Sequence, residues 1–186
     1  MIGAEAQEDG GRRARTRQAI IDALIRLMSE RRYSAIRTTA LIETADIGRS
    51  TFYEHFQSKA AVLEVVVEPI LNPLASAGAG LGNTARLRVM LDHLWDRRAL
   101  TRRLFEPPLQ TALQRRLAAM IEARVAGGAA VPAPLIARGA AARQFAMIHM
   151  WLSGEASCRS DVLAEALAGV RDRRGERGST ALSDRV

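Results

Sequence analysis

The sequence predicts an all-α protein, on three observations. Ala, Leu and Arg dominate the chain, and all three are strong helix formers. Apolar residues recur at three- and four-residue spacing in one segment after another, as on the buried face of a helix. No segment alternates apolar and polar residues as a half-buried strand would.

The elements follow in order. Residues 1–11 are polar and Gly-bearing and read as a disordered leader. A helix is expected over Arg12 to Arg31, with its stripe at Ile20, Leu24, Leu27 and Met28. Arg32 to Ala35 breaks it. Two short helices follow, Thr38 to Thr44 and Arg49 to His55, joined by a turn at Ala45-Asp46-Ile47-Gly48. Ser58 is the expected N-cap of a fourth helix ending near Leu71, ahead of Asn72-Pro73. Ala75 to Gly82 is small and Gly-rich and reads as a loop. Helical patterning resumes from Thr84 to Phe105 with a break near Asp96, then from Pro108 to Ala126, where Pro suits a first turn. Gly127 to Pro134 reads as a second loop. Helices at Leu135 to Ser153 and Ser160 to Arg173 precede a polar tail from Gly175. The expected units are a leader at 1–11, a first domain at 12–58, a second at 59–174 and a flexible tail at 175–186.

Charge narrows the partners only a little. The net charge is +7, carried almost wholly by Arg, since Lys59 is the only lysine. A basic chain suits nucleic acid, an anionic membrane surface or acidic proteins. An Arg- and Ala-rich, Lys-poor chain is also what GC-rich coding produces. Distribution says more: between Gly11 and Ala60, ten basic residues face five acids, Asp22, Glu30, Glu43, Asp46 and Glu54. Cys158 is alone, so no internal disulfide forms, and a reducing cytoplasm is the expected location. The N-terminus lacks the apolar run of a signal peptide. The apolar stretch Phe145 to Leu152 is too short to span a bilayer.

Two short helices joined by four residues have the spacing of a helix-turn-helix. On the second, Phe52 and Phe56 share one face at about 100° per residue and are expected in the core. Ser50, Thr51, Tyr53 and Glu54 then point elsewhere, offering hydroxyls and a phenol to phosphates and base edges. Glu54 would repel phosphate unless it accepts from a cytosine amino group; otherwise it is simply solvated. The run Arg12-Arg13-x-Arg15-x-Arg17 is either a solvated helix start or an arm reaching phosphates and the minor groove. A cationic helix N-terminus opposes its own dipole, which favours an external anion.

The run Thr38-Thr39…Ala45-Asp46-Ile47-Gly48-Arg49-Ser50-Thr51-Phe52-Tyr53-Glu54-His55-Phe56-Gln57-Ser58-Lys59 strongly resembles the DNA-binding domain of the TetR family of transcriptional regulators. So does Arg13-x-Arg15-x-x-Gln18-x-Ile20-Ile21, and the resemblance covers residues 12 to about 70. It implies an N-terminal three-helix helix-turn-helix domain and a C-terminal helical ligand-binding and dimerisation domain. The implied partners are a double-stranded DNA operator, a second copy of the chain and a small-molecule effector. The implied DNA-binding residues are Arg37, Thr38, Thr39, Arg49, Ser50, Thr51, Tyr53, His55 and Lys59. Among them, Arg49, Ser50 and Thr51 resemble base or phosphate contacts, and Tyr53 and His55 the family's backbone-contacting pair. Thr38 and Lys59 resemble phosphate contacts at helix starts, where the helix dipole also helps.

In the second half the resemblance reduces to architecture. Ala141, Phe145, Ile148 and Leu152 recur at helical spacing, as do Leu163, Ala166, Leu167 and Val170. Two paired helices ending a chain of this kind imply a four-helix dimer interface at these residues; the alternative is that both stripes face the subunit's own core. Met90, His93, Leu94, Trp95, Phe105, Met147, His149, Met150 and Trp151 are candidates to line an effector cavity, offering apolar area with a few polar handles. The alternative is plain core.

Enzyme chemistry finds no footing. His55, His93 and His149 lie far apart with no partner at metal spacing. Cys158 has no basic activator beyond Arg159, and neither a nucleophile elbow nor a Gly-rich phosphate loop exists. No metal and no cofactor are expected. A ligand-responsive homodimeric repressor on a palindromic operator fits best. A partner-regulated or architectural DNA-binding protein, or a binder of membrane surfaces or acidic proteins, remains open.

Overall fold

The computed structural model describes residues 2–125 and 131–169, and the described residues contain helices and turns and no strand. The helices are α1 (Ile2–Glu30), α2 (Thr38–Thr44), α3 (Arg49–His55), α4 (Lys59–Gly78), α5 (Thr84–Asp96), α6 (Arg98–Leu104), α7 (Leu109–Glu122), α8 (Ala133–Ser153) and α9 (Ser160–Leu167). A single 3-10 turn at Tyr33–Ala35 separates α1 from α2.

The first three helices close around one apolar cluster. Ile20, Ala23, Leu24, Leu27 and Met28 on α1 are buried with Leu41, Phe52 and Phe56. The turn from α2 to α3 places Asp46 in the left-handed region at φ 53°. A non-Gly residue pays for that backbone, and Asp pays less than most. α4 joins the two halves, packing on α1 and also on α5, α7, α8 and α9. Helices α7 and α8 form the main antiparallel pair of the second half, and α9 lies on α5.

Three expectations are corrected. The leader is helical: α1 begins at Ile2, because Ala4, Glu5, Ala6, Gln7 and Glu8 favour helix strongly. The basic run therefore sits inside a helix, and the argument from a cationic N-terminus falls away. α4 does not stop at Leu71 but runs through Pro69 and Pro73 to Gly78. An interior Pro costs about 3 kcal/mol; here Val62, Leu63, Val67, Leu71, Leu74, Ala75 and Ala77 bury one long face and outweigh it. Part of the expected Gly-rich loop is thus helix. At Gly78 a Cβ would come within 2.5 Å of Ile121 Cδ1, so the glycine permits the close approach of α4 to α7.

Two other local expectations agree with the structure. Ser58 Oγ accepts from the Ala61 amide at 3.2 Å, as its capping role requires. The break near Asp96 separates α5 from α6. Residues 126–130, within and beside the expected second loop, and the tail from Gly175 lie outside the described residues; α9 ends at Leu167, with Ala168 and Gly169 in a turn, short of the expected Arg173.

The proposed dimer stripes turn inward. Ala141, Phe145, Ile148, Leu152, Leu163 and Leu167 are buried within the subunit, and Ala166 is half-buried. Periodicity identifies an apolar face but not whose core it meets. Val170 lies outside the described residues.

Candidate nucleic-acid interface

The helix-turn-helix is held from α1. Arg26 Nη2 donates to the Thr44 carbonyl at 3.0 Å, at the C-terminus of α2. Arg17 Nη1 donates to the His55 carbonyl at 3.3 Å, at the C-terminus of α3, and its guanidinium lies 4.3 Å from the Phe56 ring centroid. Cations at helix C-termini meet unpaired carbonyls and the negative end of the dipole. Arg17 is thus committed inside the domain rather than to a groove-reaching arm, whereas Arg12, Arg13 and Arg15 are exposed.

On α3 the two faces separate as expected. Phe52 is fully buried, its ring 5.4 Å from Tyr53 in edge contact and 6.4 Å from Phe56. Arg49, Ser50, Tyr53 and Glu54 are exposed, and Thr51 and His55 are half-buried. The Arg49 guanidinium stands 5.8 Å from the Tyr53 ring centroid, one helical turn along, which pairs a cation with an aromatic face on the outer surface. At the start of α2, Arg37 and Thr39 are exposed and Thr38 is half-buried. Arg37, Arg49, Ser50 and Tyr53 therefore present guanidiniums, a hydroxyl and a phenol on the helix-turn-helix surface, the chemistry that meets phosphates and base edges.

Lys59 differs from the rest. Its ammonium donates to the Tyr33 carbonyl at 2.9 Å and to the Ile36 carbonyl, and lies 4.1 Å from the Tyr33 ring centroid. Partial burial pulls its pKa below the ordinary lysine value. Two of its three donors fasten the turn before α2, leaving one for an outside acceptor. Burial, and secondarily Glu64, pushes the Tyr33 phenol above its ordinary pKa. Sequence reasoning found Lys59 but not its carbonyl partners, and it missed Arg26 altogether. Neither contact follows a motif, because the partners are 18 to 26 residues apart.

The nine effector candidates sit in several settings within the second half. Trp95 and Trp151 pack together with centroids 4.7 Å apart, and Phe105 packs on Phe145 at 4.9 Å. Trp151 Nε1 donates to the Cys158 carbonyl at 3.0 Å. Met90 and Leu94 are buried, Met147 and His149 half-buried, and His93 and Met150 exposed. None of the nine lines any of three cavities formed by the described residues. One of these, of about 320 Å³, lies between the 3-10 turn and the α6–α7 connection. A second, of about 440 Å³, shares Arg32, Arg103 and Glu106 with it, and a third, of about 420 Å³, lies between α7 and α8. Sequence reasoning also missed Gln144, a fully buried side chain whose Nε2 donates to the Leu74 carbonyl at 3.0 Å while Oε1 has no partner among the described residues. A lone polar residue in the apolar stripe of α8 was the available signal. Among the described residues no group of three His, Cys, Asp or Glu is placed to hold a metal. One helix there, α4, is long and apolar enough by composition to cross a membrane, yet it packs against five other helices.

Comparison with known proteins agrees with this geometry. Residues 20–66 match the family of bacterial regulatory proteins of tetR type. A solved TetR transcriptional regulator from Streptococcus agalactiae 2603V is similar, with a TM-score of 0.59 and 22% identity, over 88% of this chain and 97% of that one. At that identity the likeness establishes a common fold. A solved dihydroxyacetone kinase operon activator, DhaS, has a TM-score of 0.49 and 19% identity, over 83% of this chain and 92% of that one. A search of the curated proteins gave no match.

Proposed function

We propose that this chain, whose residues 20–66 match the tetR family of bacterial regulatory proteins, acts in the cytoplasm as a homodimeric repressor that grips a palindromic operator and releases it when a small molecule binds. The observation that carries the DNA-binding part is the division of α3 into a buried Phe52 and an outward Arg49, Ser50 and Tyr53. A helix so divided is anchored on one side and free to enter a major groove with the other. Arg37, Thr38, Thr39, Thr51, His55 and the remaining donor of Lys59 are assigned to phosphates and sugars flanking the site.

Dimerisation is assigned to faces that the sequence left unremarked. Leu135 and Met150 on α8 and Val162 on α9 are 63%, 43% and 53% exposed. Between them Gly139, Ala142 and Ala146 are exposed and small, so another helix can approach closely. Covering that surface removes apolar area from water and sets the spacing of two recognition helices.

The test is selection of bound fragments from the source genome, followed by titration of the selected duplex against random duplex at rising salt. A specific regulator holds the selected fragment about 10³-fold or more tighter. Equal affinity for both, lost together as salt rises, would leave only an electrostatic binder.

A further inference from the structure

The cleft between the two halves has the makings of a ligand site, and its chemistry is specific. One side is apolar: Tyr33, Pro107, Pro108, Leu109 and Ala112 line the cavity of about 320 Å³, with Ser34, Arg32, Arg103 and Glu106 completing its wall. That volume sits at the lower end of small-molecule sites, which span roughly 300–1,000 Å³, and suits a bicyclic aryl or short acyl body. The other end opens into the cavity of about 440 Å³, where Arg31, Arg32, Arg102 and Arg103 face only Glu30 and Glu106. Glu30 is already paired with Arg31 at 3.8 Å. Arg103 spends one donor on the Met28 carbonyl at 2.9 Å, and a guanidinium has five. The polar end is therefore short of negative charge.

We propose that this cleft binds a small amphipathic carboxylate, its apolar body against Tyr33 and Pro107-Pro108 and its carboxylate between Arg32 and Arg103. The site would be regulatory, a consequence that rests on the ligand-responsive reading above. Tyr33 forms one wall of the cleft, and its own carbonyl is held by Lys59 at the head of α4. Arg103 ties α6 to the last turn of α1. A carboxylate that draws Arg103 toward itself, with an apolar body wedged against Tyr33, acts on two of the links between the helix-turn-helix and the rest of the chain. A ligand moves that equilibrium only by preferring one arrangement, and here the preferred one has the two halves pried apart.

The probe is 2-naphthoate, titrated calorimetrically into the full chain, with neutral 2-naphthylmethanol as its isostere. Naphthoate should bind, and the alcohol about ten-fold more weakly, the scale of one charge-assisted hydrogen bond. Arg32→Gln, at an exposed position, should cost naphthoate a similar factor. Ala112→Trp, also exposed, should fill the apolar end and abolish binding while the melting temperature holds. Absence of naphthoate binding overturns the site, as does equal affinity in wild type and a folded Ala112→Trp. Should that variant not fold, unchanged affinity in Arg32→Gln overturns it instead. The regulatory part is judged separately on a genome-selected duplex: saturating naphthoate should release it from wild type and not from Ala112→Trp. Binding without release removes the regulatory role and leaves the site. Failure to hold any duplex selectively without ligand removes the functional reading above, and calorimetry still decides the site.

Discussion

Lys59, at the first residue of α4, donates to the Tyr33 carbonyl at 2.9 Å while its ammonium rests 4.1 Å from that tyrosine's ring centroid. One side chain thereby fixes the turn that leads into α2 and the start of the helix that runs on into the second half. Lys59→Met keeps the stem and removes the ammonium, leaving two carbonyls without their donor. Stability should fall by about 1–3 kcal/mol, the usual cost of stranding such groups, measured by chemical denaturation. Affinity for a selected duplex should fall as well. An unchanged denaturation midpoint with weakened DNA binding would make Lys59 a phosphate contact alone.

Tyr33 should ionise late. Burial and the neighbouring Glu64 both disfavour its phenolate. Absorbance at 295 nm in a Tyr53→Phe background, which leaves one tyrosine, should give a midpoint above the ordinary tyrosine value of 10.0. The sign for stability follows: the folded pKa is raised, so the contribution is intact below the unfolded pKa. It is lost as pH rises through the folded one. A midpoint at or below 10.0 would mean that the phenol is open to water.

The two faces of α3 should fail in different ways. Arg49→Ala and Tyr53→Ala should leave the melting curve nearly in place and weaken DNA binding. Arg49→Ala should also lower the salt slope by roughly one unit if it meets a phosphate, or shift sequence preference if it meets a base. Phe52→Ala should instead cost about 3–5 kcal/mol through the cavity it leaves. Loss of DNA binding by Phe52→Ala with an unchanged melt would contradict its placement in the core.

The helices α8 and α9 separate folding from assembly. Leu163→Arg and Leu167→Arg put charge into the subunit's own core and should prevent folding rather than merely split a dimer. Val162→Arg and Ala146→Arg, on the outer face, should yield a folded monomer by sedimentation. They should also lose DNA affinity, because the half-sites are no longer gripped together. An intact dimer in both outer variants would move the interface elsewhere.

Sequence and structure agree most closely where local rules govern. α2 and α3 begin and end at the residues read from the sequence. Each is short, bounded by a turn and marked by a clear apolar face. Ser58 follows the same logic, since a cap is settled within three residues. Agreement is lost where distant parts decide. Pro73 reads as a stop until the burial of Leu71, Leu74 and Ala75 is known, and that burial depends on α7 and α8. The stripes of α8 and α9 were legible as apolar, but only packing shows that Phe145, Ile148 and Leu163 face inward. The outward residues of α3, Arg49, Ser50 and Tyr53, could be picked from their surroundings in the chain. Lys59's double duty could not, because Tyr33 and Ile36 approach it only after folding.

The two guanidiniums that reach from α1, Arg17 to the end of α3 and Arg26 to the end of α2, have a bearing on how the regulator behaves as conditions change. A guanidinium does not give up its proton in a protein, and each acceptor is a main-chain carbonyl that never titrates. These two hydrogen bonds, which hold α2 and α3 to α1, are therefore indifferent to acidity. A drift in DNA affinity between mildly acid and mildly alkaline medium would then point away from these two hydrogen bonds and toward other groups, such as Lys59 at the turn into α2.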